Sequence, residues 1–182
     1  VKLRRDLSVP DSNFRPVKLK QNVGIEAPDS VVVYKDVAWW LGTDGVYKWD
    51  DTGIENVAAG KVQSWFQTDT YFNRSRLRFA VGQIHPLQHK YRILLSNAGD
   101  TTLNRFIEYD WVEQKWWGPH TIDAFTPSFA GIIHDSNNLD LAVICSSAGF
   151  VYKDQATRTD DASTGIDFDV DTKFHDGNTP GI

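Results

Sequence analysis

Short runs of β-branched and aromatic residues follow one another along this chain, and turn-forming residues separate them. Such runs predict β-strands because these side chains pack well on a pleated backbone, while Gly, Asn and Asp supply the positive φ angles and side-chain caps of tight turns. The pattern predicts an all-β chain of antiparallel hairpins. The predicted strands cover residues 31–34, 37–41, 45–49, 77–81, 91–95, 105–109, 129–133, 139–145, 150–152 and 166–174.

Three stretches within these strands are apolar on both faces, at residues 37–41, 92–95 and 141–145. Because neighbouring residues in a strand point to opposite sides, Trp39 and Trp40 cannot enter the same core. Both faces of these sheets must therefore be covered. An antiparallel hairpin sheet covered on both faces is typical of the radially stacked blades of a β-propeller.

One segment has helical rather than strand spacing. Val62, Trp65, Phe66 and Asp69 fall at intervals that place them on one side of a helix. The spacing predicts one short amphipathic helix within residues 60–72, which would link two β units.

A weak internal repeat also favours blades. An aromatic-rich strand that closes on Asp at a turn occurs at residues 45–50, 105–110 and 149–154, so the closing Asp residues are 60 and then 44 positions apart. These steps are close to the roughly 40–50 residues of a propeller blade, and the longer step contains the predicted helix. The repeat predicts about three blades and the first strand of another. The residues expected to shape the blade turns are Gly45, Asp50, Asp110, Gly149 and Asp154.

The composition is that of a folded domain. The chain has 182 residues, of which 41% are hydrophobic and 24% are charged, a balance that argues against global disorder. No apolar stretch approaches the roughly 20 residues of a membrane helix, so no membrane partner is expected. One cysteine cannot form an internal disulfide. Because the chain begins with Val1 rather than Met, we expect a processed product or a piece of a longer polypeptide.

Charge is distributed unevenly along the chain. The formal net charge of −5 argues against a protein that binds nucleic acid by neutralising phosphates. Residues 1–20 carry six basic and two acidic side chains, whereas residues 154–176 carry two basic and seven acidic ones. These segments are either solvated termini or complementary ends that guide subunit assembly. We expect a basic N-terminal segment at 1–26, a β-propeller-like domain at 27–176 and a C-terminal tail at 177–182.

Several of these motifs resemble a known family. Residues 24–30 and 37–49 resemble a sequence motif of phage virion propellers. In that motif, Gly, an apolar residue, Pro and Ser come before a strand, which is followed by a turn with Asp-Gly-Val-Tyr. Residues 106–110, followed by Trp116 and Trp117, resemble the Tyr-Asp…Trp hairpin of those proteins. Residues 149–152 and 165–173 are similar to the next blade and the strand after it. The chain thus resembles, over roughly residues 24–176, the β-propeller structural proteins of bacteriophage tails, such as the nozzle or tail tubular B proteins.

The resemblance implies a structural virion protein that forms part of a channel wall, nozzle or ring in a phage tail. The implied partners are further copies of the chain and other tail or portal-adaptor proteins, joined in the host cytoplasm. An acidic wall would have at most transient contact with passing DNA. Such propellers are usually part of larger chains, so this one would be a fragment or a reduced version. The family brings no catalytic residues and no cofactor.

Tryptophans are the remaining functional signal. Trp111, Trp116 and Trp117 flank a predicted hairpin turn and are candidate interface residues, because aromatic side chains are enriched where subunits meet. Trp39 and Trp40 are expected to pack between blades. The alternative function is a carbohydrate- or receptor-binding module that uses surface tryptophans.

The sequence predicts neither an enzyme nor a metal site. It contains no phosphate-binding Gly loop, nucleophile elbow or Cys-His arrangement. His85 and His89 are spaced like helical metal ligands, but Pro86 indicates a loop. The acidic alternation at 167–171 lacks the Gly and Glu that a calcium loop requires. A glycosidase with two carboxylates across a cleft remains a third possibility.

Overall fold

A computed structural model describes residues 23–134 and 137–153 in full, and the backbone of residues 2–5, 14–17, 160–161 and 164–165. Asp154, the predicted strand 166–174 and the tail 177–182 lie outside the described residues.

Antiparallel sheets account for most of the described chain, which confirms the all-β prediction. Two strands near the N-terminus pair with each other, namely β1 (Lys2–Arg5) and β2 (Phe14–Val17). The first sheet contains β3 (Val32–Tyr34), β4 (Val37–Gly42), β5 (Gly45–Asp50) and β6 (Gly53–Asn56). The second sheet contains β7 (Val81–His85), β8 (Lys90–Leu95), β9 (Arg105–Asp110) and β10 (Lys115–Thr121).

The third sheet has three described strands, β11 (Pro127–His134), β12 (Asp140–Ser146) and β13 (Val151–Lys153). A further pair consists of β14 (Asp160–Asp161) and β15 (Thr164–Gly165). In each of the three larger sheets, strands that follow one another in sequence are also hydrogen-bonded neighbours. Each of these sheets is therefore a meander joined by short connections.

The predicted short linking helix is present between the first two sheets, but as a 3-10 helix rather than a longer amphipathic one. The segment 60–72 contains this 3-10 helix at Gln63–Phe66, because a tight turn is enough to bury Val62 and Phe66 in the core. The predicted strand at 77–81 is also displaced: a second 3-10 helix, Arg74–Phe79, precedes β7, and the Asn73 side chain caps it by accepting from the amide of Ser75.

Two other 3-10 helices, Pro28–Ser30 and Pro86–Gln88, complete the helices of the described residues. Within this part of the chain, no helix has both the length and the apolar character needed to cross a membrane.

The strands β7, β8 and β9 of the second sheet are buried on both faces. In β8, Tyr91, Ile93 and Leu95 belong to a core shared with the first sheet, whereas Leu94 belongs to a separate core shared with the third sheet. This alternation follows from the two-residue period of a strand. The second sheet therefore lies between the first and the third, and the predicted covering of both faces is confirmed for this run.

The adjacent tryptophans of β4 likewise face opposite ways. Trp39 stacks on Tyr91 of the second sheet with ring centroids 6.2 Å apart, whereas Trp40 stacks on Tyr47 of its own sheet at 5.8 Å. The Trp40 indole N–H donates to the Gly24 carbonyl at 3.2 Å, so the segment before β3 covers this second face. Both tryptophans are buried.

Ser30 joins the first two sheets. Its hydroxyl donates to the Ala27 carbonyl at 2.6 Å and accepts from the Leu41 amide at 2.8 Å, while its own carbonyl accepts from the Tyr91 hydroxyl at 2.7 Å. The backbone of Gly82 in β7 lies so close that an added Cβ would overlap the Ser30 carbonyl oxygen. The junction thus depends on a direct backbone approach.

This approach predicts a specific effect of adding one methyl group. We expect Gly82→Ala to lower the free energy of unfolding by about 1–3 kcal/mol, because the Ser30 backbone must move away from β7. Urea denaturation measures the change.

Gly131→Ala is the matched control. Gly131 also lies in the first strand of its sheet, but an added Cβ there only reaches the Phe129 ring at 3.4 Å. We expect its unfolding free energy to stay within about 0.5 kcal/mol of the wild type. Equal losses in both variants would contradict the proposed junction.

Candidate assembly interface

The sequence repeat occupies the same place in all three sheets. Residues 45–50 form β5 and residues 105–110 form β9, while the described part of the third copy contains β13. Each of these is the third strand of its meander. The repeat therefore marks a recurring structural unit of the chain.

The closing aspartates of the first two copies organise the turns that follow them. The Asp50 carboxylate accepts from the amide and the hydroxyl of Thr52, and these hydrogen bonds hold the pKa of Asp50 below its usual range. The Asp110 carboxylate accepts from the amides of Val112 and Glu113 at 2.9 and 2.8 Å. Both aspartates therefore form Asx turns.

The two predicted turn glycines also lie at strand connections. Gly45 faces Gly42 across the turn between β4 and β5. Gly149, at φ 85°, adopts the left-handed conformation between β12 and β13. A residue with a side chain is disfavoured in that conformation, so glycine suits the position.

Of the three candidate interface tryptophans, Trp111 and Trp116 are half-buried against the first sheet. Trp111 packs on Trp39 with ring centroids 5.3 Å apart. Trp116 packs on Tyr109 at 5.2 Å, and its indole N–H donates to the Val57 carbonyl at 3.0 Å. These two side chains connect the sheets of one molecule.

Trp117 lies on the surface of the described chain. Its side chain is 46% exposed, and the Lys90 ammonium lies 5.9 Å from its ring centroid. Its neighbour Trp116 points the opposite way, as the period of a strand requires. Among the three candidates, Trp117 is the one most available to a partner.

A charged cluster that the sequence analysis missed lies inside the second sheet. Arg92 donates two hydrogen bonds to one oxygen of Glu108, at 2.7 and 3.0 Å, and Lys90 donates to the other at 2.8 Å. The Arg92 and Glu108 side chains are only 7% and 5% exposed. Burial alone raises the pKa of Glu108, but the two cations outweigh burial and hold that pKa below its usual value. Glu108 is therefore an ionised buried carboxylate.

Gln83 extends this cluster to the third sheet. Its amide oxygen accepts from Arg92 at 3.4 Å, and its amide nitrogen donates to the Gly131 and Val143 carbonyls at 3.1 and 2.8 Å. In the sequence, this cluster is indicated only by a charged residue within each of two predicted strands, Arg92 in 91–95 and Glu108 in 105–109. Their pairing only becomes visible in the register, where Arg92 lies opposite Glu108.

The third sheet carries exposed apolar side chains on the face directed away from the second sheet. Phe129, Cys145 and Val151 are register partners across β11, β12 and β13, and we call this row the third-sheet patch. Phe129 and Val151 are 55% and 61% exposed. Their neighbours Ala130 and Ile144 face the second sheet.

On the same face as the third-sheet patch, Leu141 and Val143 of the central strand β12 are buried. The predicted covering of both faces is therefore confirmed for the run 141–145, and the exposed apolar side chains lie on the flanking strands β11 and β13.

The tryptophan geometry predicts different roles for Trp116 and Trp117. We expect Trp116→Ala to lower the free energy of unfolding by about 2 kcal/mol or more, because it removes a packed ring and its hydrogen bond to Val57. We expect Trp117→Ala to cost less than about 1 kcal/mol, because its ring is largely in solvent. Thermal and urea denaturation compare the two. A larger loss for Trp117→Ala would contradict the assignment.

The charged cluster predicts a pH dependence. Because the pKa of folded Glu108 lies below its ordinary 4.5, its stabilising contribution is present above about pH 4.5 and is lost as the pH falls through the folded-state pKa. We expect Glu108→Gln to cost about 3–5 kcal/mol at pH 7 and to flatten the loss of stability in acid.

Glu113→Gln provides the control, because Glu113 forms an exposed ion pair with Lys115 at 3.3 Å. It should change stability by less than about 1 kcal/mol. Urea denaturation from pH 7 to pH 3 measures both variants. An unchanged acid profile in Glu108→Gln would show that other carboxylates cause acid unfolding.

The sequence was also compared with protein families and with curated proteins. Neither a protein-family model nor a curated protein matches the sequence of this chain.

Proposed function

We propose that this chain is a structural virion protein whose three meanders are β-propeller blades. It would form part of the channel wall, nozzle or ring of a phage tail and would act through assembly rather than catalysis. One observation carries the blade geometry: a cavity of about 350 Å³ is lined by the first strands of all three sheets. The phage-tail role is proposed from the resemblance of residues 24–176 to tail propellers.

The arrangement of the first strands supports blades. β7 packs against β3 on one side and against β11 on the other. The cavity is bordered by Val32 of β3, Gln83 of β7 and Ala130 of β11, among others. In a propeller, the blades surround a central channel with one edge strand of each blade beside it. Three adjacent first strands around one cavity agree with that geometry.

The third-sheet patch supports assembly with a further layer. The strands β7, β8 and β9 bury both of their faces, whereas the flanking strands of the third sheet leave Phe129 and Val151 largely exposed. A blade from another copy, or from another tail or portal-adaptor protein, would cover this face. Each blade would then be packed as the second sheet is.

The charge of the chain fits a wall that DNA passes without binding. At a net charge of −5, the protein repels a polyanion on average, so contact with a passing genome would be transient. The side chains of the basic 1–20 and acidic 154–176 segments lie outside the described residues, so complementarity between subunit ends stays a prediction.

Light scattering of the isolated chain at several concentrations tests the proposal. We expect a defined ring-sized oligomer. Val151→Lys should shift the mass towards the monomer, because it places a charge in the third-sheet patch.

Val112→Lys is the matched control. Val112 is 65% exposed, close to the 61% of Val151, but it lies in the turn between β9 and β10. It should leave the oligomer unchanged. A wild-type chain that remains monomeric at every concentration would overturn the assembly role.

A further inference from the structure

A second cavity, of about 220 Å³, lies between the first and second sheets. Three connections meet there: the turn from β3 to β4, the link from β7 to β8 and the turn from β9 to β10. Its walls include Tyr34, Trp39 and Trp111, and its polar lining includes Lys48, Asp50 and His89. The cavity is distinct from the one bordered by the first strands.

The aromatic wall is centred on Trp111. Its ring centroid lies 5.3 Å from that of Trp39, 6.1 Å from that of Tyr34 and 6.0 Å from that of His89. Aromatic faces carry negative charge, so they attract the weakly positive C–H groups of a saturated ring. Such a wall suits a flat ligand with an apolar C–H face.

Trp111 departs from the internal repeat. The residue that follows the closing Asp is Asp51 in the first copy, Trp111 in the second and Gln155 in the third. The Asx turn at Asp110 is made by its carboxylate and the amides of Val112 and Glu113, not by the indole. The turn therefore does not demand an aromatic residue here.

The polar lining offers donors and acceptors together. The Lys48 ammonium lies 2.9 Å from a Glu55 oxygen and 3.9 Å from an Asp50 oxygen, so the charge of Lys48 is balanced locally. Lys48 has three N–H donors and the Asp50 carboxylate about four acceptor sites, so each keeps hydrogen-bonding capacity beyond its present partners Glu55 and Thr52. An uncharged ligand with several hydroxyl groups satisfies both.

Two residues of the lining have an unusual backbone conformation. Lys35 and His89 have φ angles of 47° and 57°, which residues with side chains seldom adopt. At Lys35 this is the usual geometry of the two-residue turn that joins β3 to β4, in which Asp36 has a φ angle of 64° as well.

We propose that this cavity binds the pyranose ring of a neutral glycan. The sugar stacks its C–H face on Trp111, and its hydroxyl groups bond to Lys48, Asp50 and His89. The proposal adds a recognition site to the chain and does not depend on assembly. Lys35, whose ammonium already lies 5.2 Å from the centroid of the Tyr34 ring, disfavours a quaternary ammonium ligand, which would otherwise suit an aromatic cage.

Saturation-transfer NMR tests the proposal with the methyl α-pyranosides of glucose, galactose and mannose, and a glycan array extends the search to neutral and acidic oligosaccharides. We expect transfer to the ring C–H protons of at least one sugar. Trp111→Ala should weaken binding about tenfold or more, in line with the loss of a stacked aromatic.

Trp117→Ala is the matched control, because it removes a tryptophan from the same hairpin but outside the cavity. His89→Asn is a second variant that keeps a residue tolerant of positive φ while removing the imidazole. It should weaken binding several-fold even where Trp111→Ala fails to fold, which near-ultraviolet circular dichroism reveals. Three outcomes would overturn the proposal: no sugar binds, choline binds instead, or binding depends on Trp117 but not on the cavity residues.

Discussion

Burial of β7, β8 and β9 on both faces is the constraint on which the rest of the structure depends. Each strand there must supply alternate side chains to two different cores, as Tyr91, Ile93 and Leu94 do in β8. A register slip of one residue would exchange the two sets and would send Arg92 towards the first sheet. The flanking sheets can pack against the middle one only if its register is fixed. Pairing within the second sheet therefore determines how the other two sheets are placed.

Polar groups inside the stack define that register. Arg92 and Glu108 lie directly opposite each other, and Gln83 carries the network to two backbone carbonyls of the third sheet. A buried ion pair adds little net stability, because the cost of removing both charges from water offsets their attraction. A misregistered sheet, however, would leave these charges unpaired in an apolar core. We infer that the cluster contributes more to the choice of structure than to the free energy of unfolding.

The strands and their two-sided burial could be predicted from sequence because the period of two is a local property of the chain. The 3-10 conformation of segment 60–79 could not, since Val62 and Phe66 satisfy helical spacing yet are buried by a 3-10 turn that tertiary packing favours. The Arg92–Glu108 pair could not be predicted from the sequence either, because its partners lie on different strands. Trp111 was a candidate interface residue from the sequence. The cavity around it could not be predicted, because three separate connections form it. The exposure of Trp117 likewise depends on how the hairpin packs.

The third strand of each meander bears on both the proposed assembly and the proposed sugar site. The repeat preserves the features that build a layer, namely an aromatic-rich strand and an Asp that, in the first two copies, closes the turn. The residue after the closing Asp is not part of the repeat and differs in every copy. In the second copy it is Trp111, which lies where two layers meet and where a cavity separates their turns. Stacking of layers thus leaves a cleft between their turns, and Trp111 completes an aromatic wall to which Tyr34 and Trp39 already contribute.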